Sequence, residues 1–299
     1  MEDAKKQKIS FYSKEETRCP VCEHFFSREE MLTGRGRLIS RDITSELRRI
    51  YDENPKFGKI FPQAYSLNVC PNCWYTALPQ DFNAPGEENL PLLKELTDYR
   101  QRIIQEIFSP LIVDFFEERN LISGAASYIL ALSCYSFLAP TYSPTIKRGI
   151  FSLRGAWLMG DLAEEHQELR ERFWKIQEIL YLKAKDFYNE AYDFLNTGKE
   201  NIENVNLGPD TDKNYGYDGF IYIYNYLNFK MSYKIEDIVQ KAEIYREIKR
   251  NISKIFGIGK ASKEKPGPLL DIVRDLYDEV NDLLTEIENT IGGKEVEEA

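Results

Sequence analysis

The chain has 299 residues, more than the usual domain of about 100–200, so one large or two modest units are expected. A hydrophobic share of 42 % with 29 % charged residues excludes global disorder and suits a packed core. The net charge of −10 is uneven: the first 80 residues hold 13 Lys and Arg against 11 Asp and Glu, and the remainder 26 against 38. The acidic remainder repels polyanions, which disfavours specific nucleic-acid binding through residues 81–299.

The opening MEDAKKQKIS lacks the apolar core of a secretory signal, so a reducing, cytoplasmic location is expected. Paired cysteines in such a compartment serve metal or redox chemistry rather than disulfides. Residues 1–82 are short apolar pieces broken by Pro and Gly, as in a small β-rich module held by a metal. Two turns carry that metal: Cys19 and Cys22 in RCPVCEHFF, and Cys70 and Cys73 in NVCPNCWYTAL. Zinc takes four thiolates in a tetrahedron, and two C-x2-C turns from separate parts of the chain complete a closed structural site, one ion per chain. An iron site uses the same ligands. A dithiol redox motif needs only one such pair, at a helix N-terminus, without the proline found here between the cysteines.

That proline pre-sets a tight turn, whose backbone N–H groups can point at the sulfurs. The residue after each second cysteine, where glycine best tolerates a positive φ, is Glu23 in one turn and Trp74 in the other. The strain is about 1 kcal/mol each, small beside a metal-binding free energy of about 10 kcal/mol. The 47 residues between the pairs must form an inserted hairpin or small helix. They include the one basic patch, 34–49, with Arg35, Arg37, Arg48 and Arg49; it reads first as a solvated loop and second as a contact for phosphate or an acidic partner. His24 is a possible substitute ligand, but four cysteines already fill the shell.

The stretch NAPGEENLP, 83–91, reads as a linker. Beyond it the apolar period becomes helical, with a helical domain expected over 92–195 and helices over 92–118, 121–138 and 144–165. Residues 121–146 carry no charge, long enough to span a bilayer, yet Pro140 and Pro144 shorten the helix and its serines and tyrosines favour a buried central one. Cys134, inside it, reads as an inert buried thiol. His166 is expected on a solvated helix face. From Glu168 to Leu195 an apolar stripe recurs at three- and four-residue steps, with Ala184 and Ala191 allowing close helix approach.

Residues 196–219 are polar and Gly-containing and read as a long loop. The segment FIYIYNYLNF that follows fits a strand by alternation and a helix by its neighbours. C-terminal helices are expected within 220–291, over 235–256 and 268–290, joined by GIGKASKEKPGP. Gly292 and Gly293 should stop the last one before a charged tail at 292–299. A tetratricopeptide template fits Tyr226, Phe229, Tyr233 and Ala242, while Lys230 and Arg246 occupy its glycine and second aromatic positions.

The pieces CPVC, NPKFGKIFPQAYSLNVCPNCWYTALPQDF, SYILALSCYSFL, LRGAWLMGDL and YLKAKDFYNEAYDFL together resemble a bacterial family of uncharacterised proteins. Its members have an N-terminal split zinc ribbon and a tetratricopeptide-like helical part. The similarity covers most of residues 18–195 and the rest more loosely. It implies that the four cysteines are the metal ligands and that the helical half is an interaction platform. Trp74 stands where the family has glycine. The expected fold is therefore mainly α, a β-rich zinc-ribbon module followed by antiparallel helical hairpins. The expected function is a non-enzymatic zinc-binding adaptor or scaffold for other proteins. The alternative is a nucleic-acid-binding regulator using the ribbon and its basic insert. A four-thiolate shell leaves no open position for catalysis.

Overall fold

The computed structural model describes residues 8–203, 205–210, 215–257 and 266–297. The first seven residues, parts of the 196–219 loop, residues 258–265 within the GIGKASKEKPGP connection and the last two residues of the tail lie outside the described residues. The chain forms two compact units, Met1–Asp42 with Arg49–Val205, and Ile43–Arg48 with Asn206–Ala299.

The first unit begins with β1 (Ser10–Arg18) and β2 (Phe25–Met31), an antiparallel pair running from Ser10 opposite Met31 to Arg18 opposite Phe25. Strands β3 (Ser40–Ile43) and β4 (Arg49–Tyr51) form a second hairpin, the expected insert between the cysteine pairs. Two-residue strands β5 (Asn68–Val69) and β6 (Thr76–Ala77) flank the second pair. Helices α1 (Leu90–Glu95), α2 (Thr97–Phe108), α3 (Leu121–Cys134), α4 (Pro144–Glu165) and α5 (Arg170–Thr197) complete this unit.

The boundary expected at 83–91 does not divide the chain. Those residues hold a 3-10 turn and the start of α1, and Asn89 Nδ2 donates to the Phe137 carbonyl at 3.0 Å. Pro and Gly mark a turn across a surface here, because the cysteine module packs directly on the helices. A methyl group at Gly124 of α3 would lie 2.6 Å from the Ala64 Cβ of the Pro62–Tyr65 turn, so only glycine lets the two backbones approach. The true division falls in the 196–219 loop, whose first half belongs to the first unit. There the buried Glu200 caps α4, accepting from the Thr145 amide at 3.1 Å and its hydroxyl at 2.8 Å.

The helix expected over 92–118 is split at Leu96 into α1 and α2, and α2 ends at Phe108. Ser109 precedes Pro110 and takes ψ 136, because the proline ring excludes the α conformation from the residue before it. A capping box between Asn120 and Ser123 opens α3, which is buried along most of its length. Among the described residues no helix is long and apolar enough to cross a membrane. Helices α4 and α5 run antiparallel, with Gly149 against Tyr188, Gly155 against Leu180 and Gly160 against Gln177. The buried stripe of α5 includes Ala184 and Ala191 as expected, and adds Phe173, Tyr181 and Tyr188. His166 lies not on a helix face but at the end of α4, half-buried between Phe173 and the exposed Glu168.

The second unit holds α6 (Gly216–Lys230), α7 (Ile238–Ser253) and α8 (Gly267–Glu297). Helices α7 and α8 are antiparallel, with Arg246 bonded to Glu288 and Lys249 to Asn281. FIYIYNYLNF is helical. Its apolar residues follow one another closely because α6 is covered on several sides, which blurs a single-face pattern into one that also fits a strand. Part of that cover is the hairpin tip Ile43–Arg48: the Tyr222 hydroxyl donates to the Ser45 carbonyl at 2.7 Å, and Lys230 pairs with Glu46 at 2.9 Å. Leu47 is 1 % exposed there at φ 58. Gly292 and Gly293 do not end α8, whose backbone continues to Glu297. Glycine in a helix costs about 1 kcal/mol relative to alanine, which weakens a helix without terminating it.

Candidate metal centre

Both cysteine turns have one backbone plan. In the first, the Cys19 amide donates to the His24 carbonyl at 2.9 Å and the Glu23 amide to the Cys19 carbonyl at 2.9 Å. In the second, the Cys70 amide donates to the Tyr75 carbonyl and the Trp74 amide to the Cys70 carbonyl, each also at 2.9 Å. Closing this turn requires a left-handed residue after the second cysteine. Glu23 takes φ 64 and Trp74 φ 57, as their positions in the sequence lead one to expect. The β1–β2 and β5–β6 pairs are the hairpin arms of these two knuckles.

The arms bring Cys19, Cys22, Cys70 and Cys73 together with every Sγ within 4.8 Å of the others. Two contacts cross between knuckles, Cys19 to Cys73 at 3.6 Å and Cys22 to Cys70 at 3.5 Å. These are far beyond a disulfide bond of about 2.05 Å. Sulfurs bound tetrahedrally at about 2.3 Å from one ion lie about 3.8 Å apart, so the four can hold one metal ion with little rearrangement. Cys19 and Cys70 are fully buried, Cys73 nearly so and Cys22 half-buried. Hydrogen bonds from Cys70 and Cys73 stabilise a Cys19 thiolate and push its pKa down to about 2, while the bond to Cys19 pushes Cys70 up to about 12. Cys73 is raised as well, chiefly by its bond to Cys19. Without an ion the sulfurs therefore hold one thiolate among neighbouring thiols, and a bound cation would have to displace the remaining protons.

The surroundings of the two knuckles differ. Trp74 stands edge-on to Phe115 at 5.1 Å, and Tyr75 lies against Phe82. Helix α2 bonds the second knuckle twice, Arg100 Nη2 donating to the Cys73 carbonyl and Gln101 Nε2 to the Asn72 carbonyl, both at 2.9 Å. The Thr76 amide donates to Cys134 Sγ of α3 at 3.4 Å. Cys134 is the buried thiol expected, its pKa raised by desolvation. Below it the Leu78 amide donates to the Tyr135 hydroxyl, which donates to Asp81; Asp81 also holds Lys147 of α4 at 2.7 Å in a buried pair. The first knuckle carries instead the exposed Arg18–Glu23 pair and a His24–Phe116 ring contact. His24 lies outside the sulfur cluster.

The four cysteines paired by the sequence motifs are the ones the fold brings together, and His24 stands apart from them. Sequence reasoning missed Arg100. The signal was there: Arg100 occupies the apolar register of α2 with Ile104 and Phe108, all buried, and an arginine on a buried stripe needs a reason.

Residues 12–280 match the family of uncharacterised proteins conserved in bacteria, DUF2225, and the chain belongs to that family. An uncharacterised protein of Borreliella burgdorferi is 38 % identical over 275 residues, covering 91 % of this chain and 96 % of that protein. No solved structure matches.

Proposed function

We propose that this is a non-enzymatic zinc protein in which one structural Zn2+ binds Cys19, Cys22, Cys70 and Cys73, and whose helices present a surface to other proteins. The observation that carries the metal reading is the pair of matched knuckles closing four sulfurs on one point. A shell of four thiolates leaves no coordination position for substrate, which favours a structural over a catalytic ion. Free thiols this close fit a reducing, cytoplasmic setting. The antiparallel helices suit a tetratricopeptide-like platform, and Trp174 and Ile179 of α5 are large apolar side chains left exposed on the first unit, available to a partner.

The basic insert lends less to the nucleic-acid reading. Arg37 folds back on the Thr33 and Gly34 carbonyls, Arg41 pairs with Asp52, and Arg49 reaches Ser40. Metal analysis of the full chain purified without chelator tests the zinc reading: one zinc per chain is expected, and less than about half an equivalent, or bound iron, would overturn it. Cross-linking of the tagged full chain in its native cells tests the platform. Cross-links from helical residues to a reproducible protein partner support it. Sequence-selective nucleic-acid binding near physiological salt, lost when Arg35 and Arg37 become alanine, would replace it.

A further inference from the structure

Arg100 is 4 % exposed. Nη1 donates to the Leu93 carbonyl at 2.7 Å, and Nη2 to the Cys73 carbonyl at 2.9 Å and to Thr97 Oγ1 at 3.2 Å. Nε is buried without a partner. Every acceptor is neutral, and among the described residues no carboxylate pairs with this guanidinium. A buried cation held only by neutral groups is costly, because carbonyl dipoles replace only part of its hydration. Its one link toward negative charge is the backbone of a metal ligand.

Four thiolates around a divalent ion carry a net charge of about −2, since metal binding displaces the thiol protons. That charge would form within the same buried region as the Arg100 guanidinium, where screening by water and salt is weak. We propose that Arg100 is the counter-charge of the metal centre, a positioning residue that never touches the ion yet sets how tightly it is held. This rests on the four-thiolate reading above. The consequence is a linkage in both directions: the loaded site stabilises a cation that the rest of the fold leaves uncompensated, and the cation favours the loaded site. The hydrogen bond to the Cys73 carbonyl also places the helix α2 charge on the better-buried knuckle, so the effect is concentrated where desolvation is greatest.

The test compares the full-length wild-type chain, Arg100→Gln and Arg100→Lys. Zinc affinity is read by competition with a chromogenic chelator, and thermal midpoints are read with and without zinc. Arg100→Gln should bind zinc about 10–100-fold more weakly, the usual cost of removing a group that supports a metal ligand from outside the shell. Arg100→Lys keeps the charge and should stay within about fivefold of wild type. The metal-free midpoint of Arg100→Gln should equal or exceed that of the metal-free wild type, while its zinc-loaded midpoint falls. A purely structural arginine would lower both midpoints together and make Lys as damaging as Gln; either result overturns the proposal. So does a Gln variant whose zinc affinity stays within about twofold. If Arg100→Gln fails to fold, Arg100→Lys decides alone: a loss beyond about tenfold overturns the proposal and retention supports it. A wild-type chain that takes up no zinc would overturn the four-thiolate reading and this inference together, whereas zinc held equally by all three chains overturns only the inference.

Discussion

The two cysteine knuckles share a backbone and differ in nearly everything around it. The second is built into the helical core, with Cys70, Tyr75 and Ala77 fully buried and helices α2 and α3 bonded to its backbone. The first lies nearer solvent, with Cys22 half-buried and Glu23 exposed. Its hairpin has anchors of its own, chiefly Phe26 against Phe82 and Glu29 accepting from the Arg119 amide at 2.7 Å, but the turn itself has few. The difference teaches that the fold itself shapes one half of the site, while the other half leaves more for a bound ion to hold in place.

Breaking the site at its two ends should therefore have unequal effects. Cys70→Ser should abolish tight zinc binding and lower the thermal midpoint of the full chain by about 10 °C or more, since a buried ligand becomes an unsatisfied hydroxyl beside a lost ion. Cys22→Ser should also lose zinc with a visibly smaller fall in midpoint. Calorimetry with metal analysis reads both, and the reverse order would break the comparison. Next in size is the ion pair beneath the second knuckle. Asp81→Asn leaves Lys147 buried without its partner and should cost about 3–5 kcal/mol in urea unfolding, with zinc stoichiometry unchanged.

The left-handed residues sharpen the contrast by changing sign. Trp74→Gly relieves strain but removes the ring packed on Phe115 and should cost about 3 kcal/mol net. Glu23→Gly relieves the same strain at an exposed position and should gain about 1 kcal/mol, since the Arg18–Glu23 pair, with both side chains more than half exposed, is worth little. The smallest effect is local. Chelation should speed hydrogen exchange at the amides of Cys19 and Glu23 while those of Cys70 and Trp74 stay protected, because only the latter pair keeps its helical neighbours.

The knuckles were legible in the sequence because their chemistry is local: four cysteines, two prolines and a turn that demands positive φ at Glu23 and Trp74. The long helices were legible for the same reason, as a period repeated over many residues. What lay beyond reach was tertiary. No composition signal at 83–91 could show that the cysteine module shares a core with α1–α5, since Pro and Gly mark a turn whether or not a boundary follows. The helicity of 220–229 was hidden because burial on several sides erases the one-faced period. Pro110 signals the end of α2 at Ser109, while the apolar residues past it imitate a longer helix. Arg100 was visible as a misfit in its stripe, but only the Cys73 carbonyl shows what the misfit is for.

The hairpin tip at 43–48 gives the second unit an order of assembly. Ser45 and Tyr222 are 177 residues apart in the chain. At about 5–20 residues per second, a ribosome releases the tip roughly 10–35 s before α6 can receive it. For that interval the Ser45 carbonyl has no Tyr222 hydroxyl to accept from and Glu46 no Lys230 to pair with, and the unit reaches its final packing only once the chain is nearly complete. A truncated product that starts beyond residue 48 never receives the tip at all. The C-terminal helices are therefore a folding unit that cannot be excised by a single cut, however clean the 196–219 loop looks as a place to make one.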